Sequence, residues 1–297
     1  MPSPRQHREQ VARNLAQGPL IPERLYGIIG GSLSHSLSPL LHNWGFRREG
    51  LPFCYYAFEI ASEQVAAFMV ACRTLPISGA SVTIPHKRAV VPYLDELTEA
   101  ALAAGAVNTL FWHGEALWGD NTDSYGFIAP LLQHGLRLES AVILGAGGAA
   151  LACIQGLRRI GVRDIVVTAR QSSKAETLAR RLGVRSLPWG ERDSLQADLL
   201  INATPLGTSG PLEADSPVPR DSLAGFRWVY DLVYNPVETV LLRQAGDMGC
   251  TGISGLDMFV HQGLAQFERW TGRSLPEEES LELLRTAMQT RGSARAP

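Results

Sequence analysis

A chain of 297 residues, 45% hydrophobic and 19% charged, is long enough for two domains of ordinary globular composition. Its formal net charge of −2 leaves no basic footprint for nucleic acid and no polybasic patch for a membrane surface. No apolar run reaches the roughly 18 to 20 residues that would span a bilayer. The four cysteines, Cys54, Cys72, Cys153 and Cys250, lie far apart without metal-ligand spacing. They are expected as buried free thiols of a cytoplasmic protein that binds no metal.

In chain order, residues 1–24 are polar, lack a signal-peptide core and are expected outside the fold as an N-terminal extension. "LYGIIG" (25–30) predicts a buried strand, and the serine-rich "SLSHSLSP" that follows leads into a helix. Ser38 is expected as its N-cap, with Pro39 at the first helical position and Gly50 as the stop. "CYYAFEI" predicts a second strand, and "SEQVAAFMVACRTL" a helix with Val65, Phe68, Met69 and Cys72 on one face. "ISGASVTIP" predicts a third strand ended by Pro85, and "TEAALAAG" a short helix closed by Gly105. "AVNTLFW" and "ALWGDNTD" flank "HGE" as a hairpin. These elements make a first domain over 25–122.

A second domain, 123–255, opens with "SYGFIAPLLQHG", a linking helix in which Pro130 should cause a kink or mark a late start. "SAVILGAGGAALACIQGLRRIG" predicts strand, glycine turn and helix. "DIVVTAR", "KAETLARRLG", "ADLLINAT", "RWVYDLVY" and "GCTGISG" continue the alternation, with a proline-rich loop after "ADLLINAT". Strands alternating with helices at this spacing predict an α/β fold with a parallel sheet covered on both faces. The tail, 256–297, is helical and has no strand of its own to cover, so it is expected to pack back on the first domain.

"VILGAGGAA" sets Gly145, Gly147 and Ala150 in G-x-G-x-x-A spacing between a strand and a helix. The first glycine makes the tight turn, the second admits a pyrophosphate, and the small third residue permits close helix–sheet packing. The phosphates then sit over a helix N-terminus. The next strand ends "TARQSSK", with no acidic residue between Asp164 and Glu176 to bond a ribose hydroxyl. Arg170 and Lys174 stand there instead, with Ser172 and Ser173 as further donors, so NADP is favoured over NAD.

The first domain carries "SVTIPHK", "AVNT" and "DNTD", each at or just past a strand end, where ligands gather in open α/β sheets. Lys87 and Asp123 would make a workable acid–base pair, with the ammonium supporting a developing alkoxide and delivering a proton. An exposed lysine and a helix-capping aspartate would leave the same trace in the sequence. Taken together and in order, "YGIIGGSLSHSLSPLLHN", "GASVTIPHK", "AGAVNT", "GDNTDSYGF", "GAGGAA", "INATPLG", "YDLVYNP" and "GLDMFVHQGLAQF" resemble the shikimate dehydrogenase family over nearly all of the chain after residue 24.

The resemblance implies two α/β domains, an N-terminal substrate domain and a Rossmann-type NADP-binding domain, with the C-terminal helices returning to the substrate domain. It implies NADPH-dependent reduction of 3-dehydroshikimate to shikimate, on the route to chorismate and the aromatic amino acids, by a cytoplasmic monomer or homodimer. By motif position it assigns Lys87 and Asp123 as the catalytic pair, both also touching substrate. Ser36 and Ser38 fall at the carboxylate-holding serines, and Thr83, Asn108 and Gln262 at contacts to ring hydroxyls and carboxylate. Tyr234 falls near the carboxylate. Gly145, Ala146, Gly147, Gly148 and Ala149 match the pyrophosphate turn, and Arg170 with Lys174 the 2′-phosphate clamp. Ala169, Thr204 and Leu232 join the cofactor set, with Gly255 and Met258 beside the nicotinamide.

The sequence departs from the family pattern at Ser81 (usually Asn), at His86 (often aromatic), at Ser124 (usually Gly) and at Ala169 to Gln171, "ARQ" for the usual "NRT". The last departure keeps the charge but loses an Asn and a Thr, which weakens the expected NADP preference. His35, His86 and His261 are expected as loop or wall residues rather than acids. Two alternatives stand beside this reading. A quinate or quinate/shikimate dehydrogenase would often carry Thr at the position of Ser38 and an acidic residue near Arg170, and neither is present. A dinucleotide-binding sensor without catalysis would be favoured by loss of Lys87 or Asp123, and both are present.

Overall fold

A computed structural model of the chain describes residues 21–293, with side chains to residue 290. The expected extension, 1–24, therefore lies almost wholly outside the described residues. The chain separates into two compact units, Met1–Asn121 with Gln266–Leu275, and Thr122–Ala265 with Pro276–Pro297.

In the first unit the strands are β1 (Arg24–Gly30), β2 (Phe53–Glu59), β3 (Ile77–Val82), β4 (Glu96–Leu97), β5 (Thr109–His113) and β6 (Ala116–Asp120). Their order across the sheet is β2-β1-β3-β5-β6-β4. β1 pairs in parallel with β2 and β3, whereas β5 runs antiparallel to both β3 and β6. The hairpin β5–β6 turns at Gly114, whose φ of +62° suits a residue without a Cβ. The helices are α1 (Ser38–Arg48), α2 (Val65–Thr74) and α3 (Glu99–Ala104). On α2 the four positions Val65, Phe68, Met69 and Cys72 are the buried face, as their spacing predicts. Together with Ile29, Ile77, Ala80, Val82 and Leu110 they form one core. Burying a side chain of this size contributes about 1.5–3 kcal/mol. At α3 the Thr98 side chain accepts from the Ala101 N–H, and Gly105, left-handed at φ +61°, closes the helix.

The start of α1 differs from the expectation. Ser38 is the first helical residue rather than the cap; the cap position is Leu37, which offers no side-chain bond. The Ser38 N–H is satisfied from outside the helix, by Ser36 Oγ at 3.3 Å. A serine two residues upstream thus does the capping work, which leaves Ser38 Oγ for other contacts.

The second unit holds α4 (Asp123–Gln133), β7 (Ser140–Leu144), α5 (Gly148–Arg159), β8 (Asp164–Thr168), α6 (Ser172–Leu182), β9 (Arg185–Ser186), β10 (Ala197–Asn202), β11 (Phe226–Asp231), α7 (Val240–Asp247), β12 (Thr251–Ser254), α8 (Gly255–Thr271) and α9 (Glu277–Ser293). Its sheet order is β12-β11-β10-β7-β8-β9, with every pairing parallel. Buried cores lie on both faces, one under α4, α5 and α6, the other under α7 and the loop before β11. Such two-sided burial explains the near-continuous apolar runs "VIL" and "IVV". Pro130 sits inside α4, seven residues after its start, so it does not mark a late beginning. β9 and α7 stand outside the elements expected from the sequence, although α7 is amphipathic and capped by Thr239, whose side chain accepts from the Leu242 N–H. Residues 266–275 at the end of α8 and after it cluster with the first unit, and residues 256–265 and 276–297 with the second.

The cysteines are free, with Cys72, Cys153 and Cys250 buried. No described helix is long and apolar enough to cross a membrane.

Candidate active site

In the first unit the proposed substrate residues gather at one end of the sheet. β1 delivers the loop with Ser36 and Ser38, β3 delivers Thr83 and Lys87, and Asn108 immediately precedes β5, whose Thr109 is paired with Ser81 of β3. Backbone bonds stitch these loops together. Gly31 N–H donates to the Ile84 carbonyl at 3.1 Å, and Thr83 N–H to that of Ile29 at 2.9 Å. Val107 N–H donates to the Lys87 carbonyl at 2.8 Å, and Val82 N–H to the Asn108 carbonyl at 2.8 Å. Lys87 and Asn108 therefore ride on neighbouring, cross-linked segments. The serine loop is anchored by Glu59, whose Oε2 accepts from the Leu33 N–H at 2.9 Å. Ser36 is half-buried and Ser38 is buried.

His86, next to Lys87, is fully buried and its Nε2 lies 2.9 Å from the Ile60 carbonyl. That bond braces the lysine loop against the end of β2, which fits a wall residue. Beneath the site lies a polar layer that the motifs do not announce. The Tyr55 hydroxyl donates to Ser81 Oγ at 2.6 Å, and Ser81 Oγ donates to Gln266 Oε1 at 2.7 Å. Burial pushes the Tyr55 hydroxyl well up against the opposing hydrogen bonds of Ser81 and Ser38, so it stays a neutral donor. Ser81, the departure from the family asparagine, thus has a partner on each side.

In the second unit Asp123 is the first residue of α4, where the helix macrodipole favours an anion. Thr122 Oγ1 donates to the Gln262 carbonyl at 3.1 Å, which ties the start of α4, where Asp123 stands, to the turn of α8 that carries Gln262. The two helices are closely apposed at Gly126: a Cβ there would stand 2.7 Å from Gln262 Cβ and 2.8 Å from the Met258 carbonyl. Gln262 Nε2 donates to the Phe259 carbonyl at 2.8 Å, and Tyr234 packs on Phe259 with ring centroids 5.1 Å apart. His261 is buried and lies 3.2 Å from Glu277 Oε1; burial lowers its pKa against the pull of Glu277 and Asp257, which fits the expected wall role.

The residues expected to hold the cofactor have a geometry that fits a dinucleotide. Gly145 turns at φ +114°, and a Cβ there would meet the Ala203 carbonyl at 2.6 Å, so only glycine passes. Above Gly147 and Gly148, at the N-terminus of α5, a Cβ would meet nothing, which leaves open room for phosphates over the helix end. Ala169 is buried at the end of β8, and Arg170 and Lys174 are exposed just beyond it. Thr204 is pinned by Asn202, whose Oδ1 accepts from its N–H at 3.0 Å and its hydroxyl at 2.7 Å. Gly255 must be glycine, since a Cβ would lie 2.3 Å from the Leu232 carbonyl. Leu232 and Gly255 therefore meet where the adjacent strands β11 and β12 end, and Met258 follows in the first turn of α8. Asp231, fully buried below them, accepts from Asn202 Nδ2 at 2.8 Å, from the Val233 N–H at 3.1 Å and from the Thr239 hydroxyl at 2.6 Å. Sequence reasoning missed this knot, although "INAT" and "YDL" each place a polar residue at the end of an apolar strand.

Comparison with known proteins is consistent with both halves. Residues 28–110 match the family model of the shikimate dehydrogenase substrate binding domain, and residues 255–285 that of the shikimate 5′-dehydrogenase C-terminal domain. Shikimate dehydrogenase (NADP(+)) of Maridesulfovibrio salexigens is 49% identical over 89% of this chain and 97% of its own. That of Oleidesulfovibrio alaskensis is 48% identical over 91% and 98%. Among solved structures, shikimate 5-dehydrogenase from Thermus thermophilus in complex with NADP(H) and shikimate has a TM-score of 0.81 at 33% identity, covering 89% of this chain and 99% of that one. With a matching fold and near-full coverage of relatives at almost half identity, the chain belongs to the shikimate dehydrogenase family.

Proposed function

We propose that this chain catalyses the reversible NADPH-dependent reduction of 3-dehydroshikimate to shikimate, with Lys87 as general acid and Asp123 as its carboxylate partner. The observation that carries the reading is the cross-linked sheet end in the first unit. There the Lys87 loop, the residues Thr83 and Asn108, and the serine loop are held by main-chain bonds to one another. NADPH, when bound, supplies the hydride. The Lys87 ammonium bonds the substrate carbonyl oxygen and gives it a proton as it becomes a hydroxyl. Asp123 accepts from a substrate hydroxyl and orients the lysine. Ser36 and Ser38 hold the carboxylate, Thr83, Asn108 and Gln262 bond ring oxygens, and Tyr234 closes the carboxylate side.

Gly145 to Ala149 take the pyrophosphate, Arg170 and Lys174 the 2′-phosphate, and Ala169, Thr204, Leu232, Gly255 and Met258 line the rest of the cofactor. The domains are read as substrate domain 25–122, NADP domain 123–255 and a C-terminal segment 256–297. The enzyme is read as a cytoplasmic monomer or homodimer, which sedimentation of the purified protein tests. Lys87→Ala should lower kcat by roughly two to four orders of magnitude, the usual cost of losing a positioned acid, while NADPH still binds. Near-normal turnover in that variant would remove Lys87 from the mechanism.

A further inference from the structure

The polar layer under the first unit's sheet end is a continuous hydrogen-bonded chain. Gln266 Nε2 donates to the Asn108 carbonyl and to Thr109 Oγ1, both at 2.9 Å, and Thr109 Oγ1 donates to Asn108 Oδ1 at 2.7 Å. On the other branch Gln266 Oε1 receives Ser81, which receives Tyr55. Tyr55, Ser81, Asn108, Thr109 and Gln266 are all 4% exposed or less.

The chain has a fixed direction. A main-chain carbonyl can only accept, so the end of Gln266 that faces the Asn108 carbonyl is its NH2. Its Oε1 then faces Ser81. That oxygen cannot donate, so Ser81 must, and Ser81 is left to accept from Tyr55. On the Asn108 branch the second hydrogen of Gln266 Nε2 fills Thr109 Oγ1, so the single Thr109 hydrogen goes to Asn108. It meets an oxygen there, which orients the Asn108 carboxamide with Oδ1 on Thr109 and Nδ2 turned away from it. In a buried setting a reversed Gln266 would set Oε1 against the Asn108 carbonyl, and a reversed Asn108 would leave the Thr109 hydrogen without its acceptor, at about 1–3 kcal/mol for each buried group left unpaired.

We propose that Thr109 and Gln266 are positioning residues that act through Asn108, fixing its carboxamide so that it meets a substrate ring oxygen as a hydrogen-bond donor. This rests on the reading of Asn108 as a substrate-binding residue. Neither Thr109 nor Gln266 needs to touch substrate. The position of Ser81 belongs to the same device, because a short hydroxyl that both accepts and donates is what lets Tyr55 and Gln266 be joined in one direction.

The test is steady-state kinetics of the full chain with shikimate and NADP+. Wild-type turnover is measured first: its absence overturns the functional reading and this proposal with it. Thr109→Val keeps the β-branched shape of a strand residue and removes only the hydroxyl. It is expected to raise KM for shikimate about tenfold, equivalent to about 1.4 kcal/mol, with KM for NADP+ and kcat within about twofold of wild type. Thr109→Ser should restore KM. In an Asn108→Ala background Thr109→Val should add nothing, since the two act as one unit.

An unchanged KM for shikimate, an equal rise in both KM values, or full additivity with Asn108→Ala overturns the proposal while leaving the functional reading intact. Gln266→Met, which keeps length but has no polar end, provides a second arm. The same selective rise is expected, and a wild-type KM there also overturns the proposal.

Discussion

His42 lies in the first unit's core with no exposure, against three aromatic rings: Tyr55 at 4.5 Å between centroids, Trp270 at 5.0 Å and Phe267 at 6.3 Å. Neither ring nitrogen makes a hydrogen bond of good geometry among the described residues. Burial lowers its pKa from 6.5 to about 3, with the nearby Gln266 side chain pulling the other way. The folded state therefore keeps the ring neutral, whereas the unfolded chain takes up a proton below pH 6.5. Between those values the unfolded state binds more protons, so stability falls as pH falls from about 6.5 toward 3.

At pH 5 about 1.5 pH units of that span have been crossed, which is worth about 2 kcal/mol at 1.36 kcal/mol per unit. His42→Phe keeps a ring among rings and removes the titration. Urea unfolding of both proteins at pH 7.5 and pH 5.0 gives four free energies. The wild type should lose about 2 kcal/mol more than His42→Phe across that interval. A constant packing offset from the new ring cancels in this difference. Equal pH dependence in the two proteins would refute the assignment of a neutral, unprotonatable His42 to the folded state.

Asp231 should work in the opposite direction: burial raises it to about 6 against three hydrogen bonds, so its contribution is present below its unfolded value of 3.8 and is lost as pH rises through 6. Relative to Asp231→Asn, the wild type is expected to lose roughly 2.4 kcal/mol between pH 4 and pH 7 in urea unfolding, and a flat difference would remove Asp231 as the cause. Arg170→Ala should raise KM for NADP+ about tenfold, the scale of one hydrogen bond to a charged group, and leave KM for NAD+ unaltered. Equal effects on both cofactors would take Arg170 out of phosphate recognition.

Much of this molecule is legible in the sequence because its strongest patterns are local. The glycine turn at Gly145 to Gly148 and the α2 face of Val65, Phe68, Met69 and Cys72 need only a few neighbouring residues to be recognised. The site motifs are similarly compact, since each lies at the end of one strand. What escaped is long-range. Tyr55, Ser81 and Gln266 lie far apart in the chain and meet only once β2, β3 and the end of α8 are assembled. Gln266 did carry a faint signal, as it stands four residues after Gln262 on the same helix, one turn along the same face.

A serine before a proline is a good helix start in isolation, which is why the sequence points to Ser38 as the cap, while the bond that matters comes from Ser36.

The central claim is the reaction itself, and initial rates on a matched panel of substrates and cofactors test it most directly. Purified protein should oxidise NADPH with 3-dehydroshikimate faster than it oxidises NADH, and should oxidise shikimate with NADP+ in the reverse direction. Faster turnover of quinate with NAD+ than of shikimate with NADP+ would contradict the account.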